Sequence, residues 1–223
     1  MTTEIYLVID REIRSFFRSG FASLFLLGVT TVVWAVFIFL QAGSGFGDHV
    51  FVWVLFLSMV LSAGFTNPVF IRERISGNLE ILFLSGLKRS SILLGKSIFC
   101  WCMSTGIGTV ALLFVYGISR IFAGGEFPFS GVLQAFVFLC GAGFLMVHST
   151  AFFSLFIRRP RLIQFANFVI LGCVSLFLPF IGRGAGQWSF WLFGGGLFFC
   201  GLIFLLGAYR LFLSEKIIEP IVY

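Results

Sequence analysis

Residues 72–96 read Arg72-Glu-Arg-Ile-Ser-Gly-Asn-Leu-Glu80, then Ile81-Leu-Phe-Leu-Ser-Gly-Leu-Lys-Arg-Ser-Ser-Ile-Leu-Leu-Gly-Lys96. The stretch is charged and glycine-punctuated, and it lies between two apolar runs near 50–71 and 95–118. A helix needs about 20 apolar residues to cross roughly 30 Å of hydrocarbon, and both flanking runs supply them. The island is therefore a short loop joining two membrane spans.

Local signals predict a short helix within it, over 78–85. Ser76 or Asn78 is suited to cap its start, and the Glu80 carboxylate in the first turn meets the positive end of the helix dipole. Leu79, Leu82 and Phe83 recur at i, i+3 and i+4, which gives the helix an apolar face. Gly86 suits the left-handed position that ends it, and Ser90 or Ser91 opens the next span. Such a helix would lie across the ends of the second and third spans.

The composition agrees with a membrane setting. The 223 residues are 59% hydrophobic and 11% charged, with a mean hydropathy of +1.08, which excludes a soluble domain. The formal charge of +6 implies no nucleic-acid partner, because the basic residues are spread over short loops between apolar runs. The first twenty residues carry Glu4, Asp10 and Glu12, so no cleavable signal peptide is expected. Cys100 and Cys102 are two apart on a predicted helix and point to different faces, which suits packing rather than a metal.

Six apolar runs lie near 20–41, 50–71, 95–118, 131–157, 162–181 and 189–212, and they predict an all-α integral membrane protein with six transmembrane helices in a single domain over 1–223. The fifth is interrupted by Pro179 and the glycines at 182, 184 and 186, so it either kinks or turns back. Of the 15 basic residues, all but Arg120 and Arg183 fall at the amino terminus, in the loops after spans two and four, or at the carboxyl end. The positive-inside rule then places both termini and those loops in the cytoplasm, which for a bacterial protein means a multi-pass inner-membrane chain.

Residues 4–18 predict a further helix before the first span. Ile5, Val8, Ile9, Ile13, Phe16 and Phe17 form an apolar stripe, with Asp10, Arg11, Arg14 and Arg18 opposite. This pattern favours an amphipathic helix in the membrane interface, with Arg11, Arg14 and Arg18 near lipid phosphates. A short helix packed on the protein itself fits the same stripe.

The run 71–96 resembles the signature of ABC-2 type transporter permeases: Glu-Arg-Glu-x-Gly-Thr-Leu-Glu, apolar residues, Pro-Leu, and a later Leu-Gly-Lys. Glu73, Gly77, Leu79, Glu80, Leu87, Gly95 and Lys96 match, while Asn78 stands where threonine is common and Gly86 replaces the usual proline. Arg11-Glu-Ile-Arg-Ser-Phe-Phe-Arg-Ser19 resembles the family's amino-terminal segment more weakly. The resemblance implies the transmembrane subunit of an exporter, assembled with a second permease subunit as a dimer and driven by a separate cytosolic ATPase. ATP and Mg would be bound by that partner, and this chain would hold no cofactor, no metal and no catalytic residue. Glu73, Gly77, Leu79, Glu80, Leu82 and Phe83 would form the ATPase-coupling interface; packing of the same apolar face under the bundle is the other account. A haem-exporter-like permease of cytochrome c maturation and a non-transport membrane scaffold are the alternatives.

The chain's nearest approach to a nucleotide-binding loop, Ser90-Ser-Ile-Leu-Leu-Gly-Lys-Ser97, lacks the first glycine. It also opens a predicted span, where backbone amides are already committed. His148, Gln134, Gln164 and Asn167 are the strongly polar residues inside spans. His148 is expected to bond between helices, with a substrate or proton role as the other account. Ser58, Ser62, Gly141, Gly143, Gly194, Gly195, Gly196 and Cys200 mark close helix approaches, within the bundle or at a dimer seam.

Overall fold

The computed structural model describes residues 2–18, 21–42, 48–72, 87–122, 129–157, 159–184 and 188–213, and every regular element among them is helical. In chain order these are α1 (Thr2–Arg18), α2 (Phe21–Ala42), α3 (Asp48–Thr66, continuing as a π-helical turn Asn67–Arg72), α4 (Arg89–Phe122), α5 (Phe129–Phe156), α6 (Pro160–Gly184) and α7 (Trp188–Leu213). Within the described residues, α3, α4, α5 and α7 are long and apolar enough to cross a membrane, and α2 and α6 carry shorter apolar stretches at Gly28–Leu40 and Arg161–Leu176.

Apolar side chains cover the outside as well as the core. Val32, Val33 and Val36 on α2, Phe165 and Phe168 on α6, and Phe199 and Ile203 on α7 are all exposed. Hydrocarbon, not water, is the solvent for such a surface, and helices satisfy every backbone group internally there. The chain is a multi-pass membrane protein.

The centre of the bundle is α5, whose residues from Gly141 to Ala151 are all buried. Its partner α7 runs parallel to it along a small-residue seam. A Cβ on Gly141 would collide with the Gly194 carbonyl oxygen, and one on Gly201 would meet Leu145 N at 3.0 Å. Gly194, Gly201 and buried Ala208 are spaced by seven, the period that keeps one helix face toward a neighbour. Gly195 and Gly196 have open space instead, and Cys200 is exposed, so they take no part in this seam.

α3 and α4 both pack on α5 and run antiparallel to each other. The π-helical turn coincides with Pro68, which lacks an N–H and crowds the preceding turn. The carbonyls near this break are met from α4: Cys100 Sγ donates to Phe65 O (3.6 Å) and Lys96 Nζ to Val69 O (3.4 Å). Cys100 is buried and Cys102 exposed, as their spacing predicts.

The third predicted span begins at Arg89, beside the Ser90 or Ser91 start expected of it and ahead of the apolar run near 95, and its helix runs 34 residues, about 51 Å at the helical rise. That is longer than the roughly 30 Å of hydrocarbon a helix has to cross. Lys96 lies within that helix and is 1% exposed, so it is no solvated topology marker. The fifth predicted span, α6, continues as helix through Pro179 to Gly184, so of the two alternatives it does not turn back within that range.

Candidate functional site

The N-terminal turns of α4 are where α1 docks. Every fourth residue of α1 from Glu4 to Phe16 contacts α4. Ser91 Oγ donates to Glu4 Oε2 at 2.7 Å, Val8 sits against Gly95, and Lys96 Nζ donates to Glu12 Oε1 at 2.9 Å. Phe16 closes the series, with its ring centroid 5.3 Å from Phe65 and 6.5 Å from Phe99. Gly95 is what permits this approach: a Cβ there would lie 2.8 Å from Val8 Cβ and 3.2 Å from Ile5 O.

The Lys96–Glu12 pair is almost wholly enclosed, at 1% and 7% side-chain exposure. With Val69 O also in reach, one ammonium joins three elements: α1, the π-helical turn Asn67–Arg72 and α4. Two charges taken out of water hold only if they meet each other with good geometry, so this is a directional joint, unlike the greasy contacts around it. Nearby, Ile92 and Val8 are buried with Leu87 packed on them.

The rest of α1 divides into two further faces. Tyr6, Ile13 and Phe17 are exposed apolar residues on one flank. Arg11, Arg14 and Arg18 are exposed on the other, where Arg14 pairs with Asp10 at 2.8 Å. The predicted stripe is thus split, with Val8 and Phe16 turned to the protein and Ile13 and Phe17 turned outward. Glu73, Gly77, Leu79, Glu80, Leu82 and Phe83, with the predicted helix over 78–85, lie outside the described residues.

Sequence reasoning matched Gly95 and Lys96 by resemblance alone and gave Glu12 no role. The signal was present: Glu12 falls between Val8 and Phe16 on an apolar face, and a carboxylate there requires a buried cation.

Among polar residues inside the bundle, Asn167 links α6 to α5. Its Nδ2 donates to Thr150 Oγ1 (2.7 Å), and its Oδ1 accepts from Ser149 (3.0 Å). Contrary to expectation, His148 bonds within its own helix: Nδ1–H donates to the Phe144 carbonyl at 2.7 Å, and the ring packs on Phe144 with centroids 4.0 Å apart. Gln134 is buried and Gln164 faces outward. The Ser90–Ser97 stretch is helical throughout, and from Ser91, whose N–H donates to Lys88 O, onward its amides are spent in the helix.

No curated protein and no solved structure matches the chain. The family model described as ABC-2 family transporter protein matches residues 41–193, from the end of α2 into α7 and including the loop signature. Because that match takes in more than half of the chain, the protein belongs to the ABC-2 transporter family.

Proposed function

We propose that this chain is the membrane-spanning permease subunit of an ABC exporter. It works as a homodimer, with six spans per subunit and both termini in the cytoplasm of a bacterial inner-membrane protein. Separate cytosolic ATPase subunits bind ATP and Mg, and they press on the loop residues Glu73, Gly77, Leu79, Glu80, Leu82 and Phe83 and on α1. The apolar flank of α1 rests in the membrane interface beside lipid, with Arg11, Arg14 and Arg18 near the headgroup phosphates.

The observation that carries this reading is the Lys96–Glu12–Val69 joint. A movement of the loop root or of α1 reaches α4 through a bonded contact rather than a slippery one, and α4 runs the length of the bundle. Family membership supplies the expectation of an ATPase partner. The test is charge reversal, Glu80→Lys, in the complex purified with its ATPase, measuring both assembly and ATPase stimulation. The reading expects one or both to fall; wild-type values for both would remove Glu80 and its loop from the coupling role.

A further inference from the structure

Hydroxyls in these helices normally bond backwards to their own backbone. On α3 and α4, Thr66 Oγ1 donates to Ser62 O, Ser104 Oγ to Trp101 O, Thr109 Oγ1 to Thr105 O and Ser119 Oγ to Tyr116 O, at 2.7–3.1 Å. Ser58, Ser62, Ser97 and Thr105 depart from that habit on the same two helices: their oxygens are buried and find no hydrogen-bond partner among the described residues. Carbonyls three and four residues back are available to each, as to any helical residue.

Two of the four converge on one point. A Cβ built on Gly143 of α5 would lie 3.4 Å from Ser58 Oγ, 3.4 Å from Thr105 Oγ1 and 3.8 Å from Ser104 Oγ. Ser58, Thr105 and Gly143 each stand near the middle of their helices, so this point is near the bilayer mid-plane. An unpaired hydroxyl is costly at that depth. Ser58 is 2% exposed, so the point lies inside the bundle, away from lipid and bulk water. Three neutral oxygens are fewer than a metal cation of the usual hard kind takes, but they match the two to four partners that a buried water uses.

We propose that Ser58, Thr105 and the bare backbone of Gly143 form a buried water-binding site joining α3, α4 and α5, with Ser104 Oγ as a further acceptor. The water takes and gives the hydrogen bonds that the two hydroxyls lack. This site stands apart from the transport reading and does not depend on it.

The sign of stability changes tests it. The probe is thermal unfolding of the full chain in mild detergent, followed by the loss of its monodisperse peak. Without water, Gly143→Ala places a methyl at ordinary contact distance and improves the helix, and Thr105→Val discards an unpaired hydroxyl, so both hold or raise the midpoint. With water, both lower it by a few degrees, as does Ser58→Ala, while Thr105→Ser stays at the wild-type value. Ser58→Ala with Thr105→Val then costs less than the two separate losses together, because both act on one molecule. A midpoint at or above wild type for Gly143→Ala or Thr105→Val, or strict additivity of the pair, overturns the site.

Discussion

Glu12→Ala removes the carboxylate 2.9 Å from a Lys96 ammonium that is 1% exposed. Lys96→Met does the reverse, leaving the Glu12 carboxylate buried without its cation 2.9 Å away. Removing one member of a buried pair costs about 3–5 kcal/mol, because an uncompensated charge remains. Here the cost falls on the docking of α1. A 17-residue helix released from its support frays more readily than a docked one, so undocking exposes backbone at Arg11, Arg14 and Arg18. Trypsin cleavage there follows the open population, so 3–5 kcal/mol corresponds to a rise of roughly a hundred- to several-thousand-fold. Either single variant should be cut that much faster in α1 than wild type. The double variant Glu12→Leu with Lys96→Met, which replaces the pair with apolar groups, should return to within about tenfold of wild type. Single variants cut at the wild-type rate would refute the idea that the pair holds α1, and a double variant as labile as the singles would refute the stranded charge as the reason.

Gly95→Ala should loosen α1 in the same assay, since its methyl meets Val8 Cβ at 2.8 Å; adding Val8→Gly should restore protection, and a Gly95→Ala protein protected like wild type would contradict the close approach. Gly141→Ala should lower the thermal midpoint by overpacking the α5–α7 seam, a cost of about 1–3 kcal/mol, whereas Gly195→Ala and Gly196→Ala, in open space, should not; equal effects at all three would contradict the seam. Asn167→Leu should weaken the α5–α6 contact by about 1 kcal/mol, the scale of hydrogen bonds within membranes, and a double-mutant cycle with Thr150→Val checks that the loss passes through their 2.7 Å bond.

Long uniform patterns were the legible part. The runs predicted near 131–157 and 189–212 match α5 and α7 within a residue or two at each end, because apolar stretches bounded by charge and glycine leave a helix little choice of ends. The amphipathic character of residues 4–18 was equally readable. Lys96 was not, because Lys88 and Arg89 lie just before it and all three read as one solvated cluster. Only the continuous helix from Arg89, with α1 alongside, turns Lys96 inward while Lys88 stays exposed. Three successive glycines on a helix point in directions about 100° apart, so Gly194, Gly195 and Gly196 look alike until a neighbour chooses one, and α5 chooses Gly194. His148 was expected to bond across helices because a polar side chain in hydrocarbon must find a partner. The carbonyl four residues back is always near, and Phe144 O meets that need locally.

The most direct test of the central claim is to purify the chain from native membranes in mild detergent and identify by mass spectrometry what accompanies it in fixed ratio. The account predicts a soluble subunit carrying nucleotide-binding motifs, with ATPase activity that depends on this chain and falls with Lys96→Met. A chain that emerges alone from every detergent tried, without an ATPase, would contradict it.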